Sequence, residues 1–179
     1  GGEVLALQGA RADERSVRAA LAGKRILHLA THGLVDERRH EMFAALALAA
    51  SPGGQGQSDA DGLLQLFEIY QLDLDAELAV LSACSTHAGP EVEGEGVFAL
   101  SRGFLIAGAR RVVASLWRVD DRATAVLIGG LFRGLGAEAR AGRRPRYADA
   151  LRAAKAALRA RPESSDPYFW APFTLSGEG

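Results

Sequence analysis

The chain of 179 residues has one cysteine, Cys84, and one methionine, Met42. A lone thiol cannot close an internal disulfide, so a disulfide-stapled secreted scaffold is excluded, and the cysteine must be explained either as packing or as chemistry. Long apolar runs are also missing. The longest uncharged stretch, residues 42–58, is interrupted by Pro52, Gly53, Gly54 and Gly56, well short of a membrane-spanning helix. The first residues lack the basic start and apolar stretch of a signal peptide, and the chain reads as cytoplasmic, with no membrane partner. Positive charge is absent from residues 41–101, which carry ten carboxylates. The balance then reverses, with thirteen arginines and Lys155 between Arg102 and Arg161. Aromatics are scarce (7%), and Tyr147 is almost the only one in the densest arginine stretch. Stacking platforms for single-stranded nucleic acid interleave aromatics with basic residues, so that arginine stretch reads as a solvated helix face or a protein-docking surface rather than a nucleic-acid interface.

What remains is an ordinary globular composition: 48% hydrophobic, 24% charged, net charge −1 and mean hydropathy +0.01. That is enough chain for one domain with its own core, spanning residues 1–179. Short apolar runs alternate with helical patterns, which predicts an α/β fold with a mostly parallel central sheet flanked by helices. Strands are expected over residues 4–8, 25–30, 44–49, 77–83, 111–116 and 173–176. Helical spacing links Val17 with Leu21, Leu63 with Leu66, Phe67 and Tyr70, and Val97 with Leu100, Phe104 and Leu105, the last closed by Gly108. Two longer amphipathic helices are expected over residues 123–135 and 147–161, joined by a linker at 139–145. Residues 51–62 read as a flexible loop.

The run ending at Ala83 would deliver Cys84 to the carboxyl edge of a parallel strand, the edge where α/β folds keep their sites. His32 follows the strand ending near Thr31 and leaves the same edge. A cysteine and a histidine so placed can serve as nucleophile and general base for acyl transfer. Backbone N–H groups of Gly33 and Cys84 are the candidate oxyanion donors. The bland alternative is that Cys84 is a small buried hydrophobe, which is what most buried cysteines are.

Seven blocks of sequence distinguish the two. They are Ile26-Leu27-His28-Leu29-Ala30-Thr31-His32-Gly33, Asp61-Gly62-Leu63-Leu64, Leu81-Ser82-Ala83-Cys84, Gly94-Glu95-Gly96-Val97, Gly108-Ala109-Arg110-Arg111-Val112-Val113-Ala114-Ser115-Leu116-Trp117, Val119-Asp120-Asp121 and Pro167-Tyr168-Phe169-Trp170-Ala171-Pro172-Phe173. In this order they resemble the CHAT domain, a bacterial caspase-like module related to separase and often found with tetratricopeptide repeats. The resemblance implies the caspase-haemoglobinase fold and a cysteine endopeptidase with a His-Cys dyad, carried onto His32 and Cys84. It also implies a protein or peptide substrate, no cofactor, and an activating sensor or repeat domain in a bacterial signalling or defence system. Family members typically continue the cysteine with Glu-Thr-Gly, where this chain has Ser85-Thr86-His87-Ala88-Gly89. That altered loop supports a competing reading, a catalytically silent interaction module, and an acyltransferase on the same dyad is a third. The family's domain usually extends further upstream, so the chain reads as a trimmed piece.

The remaining polar residues have two readings each. Asp120 and Asp121 either cap the helix beginning near Ala123 or form an acidic wall for a basic substrate residue before the cut. Asp61 and His87 could join that pocket, against default readings as turn and loop residues. A metal is not expected, because one cysteine with scattered histidines does not make a closed site. His28 reads as a core or supporting histidine. Trp117 and Trp170 read as core aromatics.

Overall fold

A computed structural model of the chain describes residues 4–34, 44–50, 61–82, 84–85 and 95–178. Their centre is a four-stranded sheet built from β1 (Ile26–Leu29), β5 (Leu78–Leu81), β7 (Arg111–Ser115) and β8 (Phe173–Gly177), in that order. The first three run parallel and β8 is antiparallel to β7. All four residues of β5 are buried. Ala79 and Leu81 enter one core and Leu78 and Val80 the other, which is why this strand reads as an unbroken apolar run.

On the first face lie α1 (Glu14–Leu21), α2 (Leu66–Ile69) and α3 (Glu95–Ile106). Asp13 caps α1 by accepting from the Ser16 backbone N–H at 3.0 Å, and the helix then buries Val17 and Leu21 one turn apart. Phe104 of α3 is fully buried in this layer. The chain turns out of α3 at Gly108, whose φ is +110° and where a Cβ would lie 1.9 Å from the Leu74 carbonyl oxygen. Only glycine meets both conditions.

The second face carries α4 (Asp121–Arg140) and α5 (Tyr147–Arg159). A Cβ added at Gly130 or Gly134 of α4 would stand 3.2 and 3.4 Å from the Cβ atoms of Ala154 and Ala150. Small residues four apart on both helices thus let the backbones approach closely. Arg133, Arg140, Arg144 and Arg152 are exposed, on the helices and the loop that joins them. At the amino edge of the sheet, Arg25 and the Tyr147 hydroxyl each donate to Glu77 at 2.7 Å, and the Arg111 guanidinium lies 4.5 Å from the Tyr147 ring centre. Burial, and then the bond to Glu77, push the Tyr147 phenol up to about 12.

A second small sheet follows the order β4-β3-β2-β6, from β2 (His32–Leu34), β3 (Ala45–Ala47), β4 (Leu63–Gln65) and β6 (Cys84–Ser85). β2 continues the path of β1 and β6 that of β5.

Three expectations are corrected. Residues 4–8 form no strand. They lack regular structure, with Val4 87% exposed, because an apolar run becomes a strand only where a sheet edge accepts its backbone. The helix expected from Leu63 is divided into β4 and the one-turn α2, since Leu64 and Gln65 pair with Leu46 and Ala45 and a Gln65–Glu68 capping box starts the helix only at Leu66. The linker at 139–145 begins later, as α4 runs to Arg140. Most of the 51–62 loop lies outside the described residues.

Candidate active site

β1 pairs with β5 so that His28 lies opposite Val80, and four residues further along both chains His32 lies opposite Cys84 in the β2–β6 ladder. The register is the same in both sheets, although the chain leaves one and enters the other between them. Backbones of paired strands stand about 4.8 Å apart, so the thiol-bearing and imidazole-bearing residues occupy neighbouring ladder positions. His32 itself is exposed. Gly33 beside it is buried between Leu46 of β3 and Ser85 of β6.

Two side-chain bonds fasten the junctions. The Thr31 hydroxyl donates to the Ala47 carbonyl, tying the start of β2 to β3. Ser82, which follows β5, donates its backbone N–H to the Leu29 carbonyl at 3.1 Å, and its hydroxyl is hydrogen-bonded to His28 Nε2 at 2.9 Å. Of its two expected roles, core or supporting, His28 does not have the first. It has the parity of Ile26, at the sheet edge that α4 and α5 leave partly open, and it is exposed along one side. Its ring tilts against Phe132 of α4, 5.6 Å between centres. Desolvation there lowers its pKa below the usual histidine value.

β7 is parallel to β5, so the segment after it emerges at the same edge. Asp120 is the N-cap of α4, with Oδ1 accepting from the backbone N–H groups of Arg122 and Ala123 at 2.9 and 3.0 Å. Of its two readings, capping is the one observed. Asp121 opens the helix and is exposed. Arg118 and Arg122, both exposed, flank the pair, which leaves this segment close to charge balance. Asp61 accepts from the Leu63 N–H at 2.8 Å and from the Gln65 amide at 3.3 Å, an Asx-type turn that starts β4. His87 lies outside the described residues. Trp117 and Trp170 are half-buried against the second core, with indole N–H groups bonded to the carbonyls of Tyr168 and Ser165. Among the described residues no group of three or more His, Cys, Asp or Glu is arranged to hold a metal, and no helix is long and apolar enough to cross a membrane.

Sequence reasoning missed β2 and β6, the strands on which the two candidate residues sit. Three residues and two residues are too short for any periodicity to register. It also missed the His28–Ser82 bond, which joins residues 54 positions apart. The one available signal was that both are polar residues on otherwise apolar strand runs.

The family model for the CHAT domain matches residues 1–178. Tetratricopeptide repeat protein 28 of Homo sapiens is 33% identical over 132 residues, 69% of this chain and 5% of that protein. Its Mus musculus counterpart is 34% identical over 119 residues, 64% of this chain and 4% of that protein. The chain therefore spans about a twentieth of the length of the curated relatives it matches.

Proposed function

The chain belongs to the CHAT domain family, whose members are generally caspase-like peptidases, and from that membership we propose that it is a cysteine endopeptidase of caspase-haemoglobinase fold, acting through His32 and Cys84. The observation that supports this is the strand register, which sets His32 opposite Cys84. In the proposed reaction His32 takes the thiol proton and the Cys84 thiolate attacks the substrate carbonyl carbon, with the backbone N–H groups of Gly33 and Cys84 as oxyanion donors. The C–N bond breaks as the His32 imidazolium returns its proton to the leaving amine. Water then hydrolyses the thioester to restore the thiol and release the acid.

The proposed substrate is a protein cleaved after a basic residue, which the exposed carboxylates of Asp121 and Asp120, together with Asp61, would attract, with His87 as a further proposed substrate contact. A repeat or sensor domain, in the same chain or a partner, is the proposed activator, in keeping with the relatives' names as tetratricopeptide repeat proteins. A cytoplasmic setting in bacterial signalling or defence belongs to the same proposal.

Labelling with an Arg-directed peptidyl electrophile, followed by intact mass, tests this reading. Stoichiometric modification is expected, lost in Cys84→Ala and slowed at least about a hundredfold in His32→Ala, the usual scale of general-base assistance. Labelling that is indifferent to His32→Ala, with Cys84 still open to a small thiol reagent, would favour the silent interaction module suggested by Ser85-Thr86-His87.

A further inference from the structure

We propose that His28 is a positioning residue for the Cys84 strand, acting through Ser82; this deepens the cysteine-peptidase reading and rests on it. Ser82 is the last described residue before the chain passes to β6, two positions short of Cys84. It is held to β1 twice, by its N–H to the Leu29 carbonyl at 3.1 Å and by its hydroxyl to His28 Nε2 at 2.9 Å. The backbone bond fixes the strand's distance from β1. The side-chain bond, diagonal across the ladder and on one face, resists rotation of the strand about its axis. His28 in turn cannot swing freely, because its ring lies against Phe132 of α4 at 5.6 Å. A path of contacts therefore runs from α4 through Phe132, His28 and Ser82 toward Cys84, matched on the other strand by the Thr31 bond to Ala47 that secures His32.

A histidine is not what sheet stability asks for at this position. Ile26, of the same parity on β1, is 48% exposed, and an apolar or β-branched residue would serve the half-covered edge equally well. What His28 adds is one directed polar bond to the residue leading into the thiol strand.

The test uses the 179-residue chain with Ser82→Ala, His28→Phe, His28→Gln and the double variant His28→Phe/Ser82→Ala. Phenylalanine keeps a ring against Phe132 and loses the bond, whereas glutamine keeps a group able to reach Ser82. Three quantities are read: Arg-directed labelling of Cys84, amide hydrogen exchange at Cys84 and Ser85, and the melting temperature. Loss of one hydrogen bond should slow labelling and speed exchange at Cys84 by about tenfold. The double variant should be no worse than either single one, because both remove the same bond. His28→Gln should stay within about threefold of wild type, and melting should move by no more than about 2 °C, so that a general loss of stability is not the cause. Additive effects, a His28→Gln variant as slow as His28→Phe, or unchanged exchange at Cys84 would overturn the positioning role. If the wild type is not labelled while Ser82→Ala still speeds exchange at Cys84, the positioning stands and the peptidase reading falls. If labelling is normal and insensitive to every variant, the reverse holds.

Discussion

Glu14 is fully buried on α1 and its Oε2 has no hydrogen-bond partner. Its other oxygen is 3.5 Å from Arg18 Nη1, but that same nitrogen is 3.0 Å from Glu68 Oε1. Glu68 is the better-seated carboxylate, since its second oxygen accepts from the Gln65 N–H at 2.8 Å. One guanidinium thus faces two buried carboxyls, and a buried carboxylate left without a full partner costs several kcal/mol. Burial first, then the charges of Glu68 and Asp61, raise the Glu14 pKa, so the folded protein favours the protonated acid. For an acid whose pKa is raised on folding, the stability contribution is complete below the unfolded value and is lost as pH rises through the folded one. Glu14→Gln, nearly isosteric and always neutral, should remove that loss. Denaturant unfolding at pH 5 and pH 8 measures it. The advantage of the variant over the wild type should be larger at pH 8 than at pH 5, reaching about 1 to 3 kcal/mol, the cost of a buried polar group left without a partner. At pH 8 melting should rise by about 2 to 4 °C per kcal/mol in a domain of this size. A Glu14→Gln variant that falls further below the wild type in stability as pH rises from 5 to 8, by about 1 kcal/mol, would refute the argument, because it would mean that an ionised Glu14 bound to Arg18 holds the fold together.

Other expectations follow from the same geometry. Gly108→Ala combines a positive φ with a 1.9 Å approach to the Leu74 carbonyl, and should cost more than about 2 kcal/mol by denaturant unfolding. Gly134→Ala meets only an ordinary contact, 3.4 Å from Ala150, and should raise the melting temperature through its helix propensity, up to about 1 kcal/mol; Gly134→Leu should lower it by separating α4 from α5. The Tyr147 phenol, pushed up to about 12, should make stability fall as pH climbs from about 10, the unfolded value, through 12. Tyr147→Phe should abolish that decline at a cost of about 1 kcal/mol at pH 7 for the lost bond to Glu77.

Much of the fold is legible from residue order. All four runs at 25–30, 77–83, 111–116 and 173–176 proved to be strands; the two central ones, β5 and β7, are nearly unbroken apolar stretches because both faces of the sheet are covered there. Val17 with Leu21, and Leu151 with Ala154 and Leu158, mark helix faces that the structure buries. Where expectation failed, the deciding partner was distant in sequence. Val4 and Leu5 have strand-like composition but no ladder, and Leu63 is drawn into β4 by Ala47 although its spacing with Leu66 and Tyr70 is helical. His28 lies on an otherwise apolar strand, yet α4 covers only one side of its ring, through Phe132, and the residue stays exposed.

The parallel α/β layering and the family are written in the order of residues, because buried strands, amphipathic helices and seven ordered motif blocks are local properties of the chain. What the residue order does not contain is that His32 and Cys84 fall on the same rung of a second sheet, that His28 bonds to Ser82, and that Glu14 and Glu68 meet across one arginine. Those outcomes depend on pairing register and on burial between residues some fifty positions apart, and both are set by how the strands and helices pack rather than by any segment's own pattern.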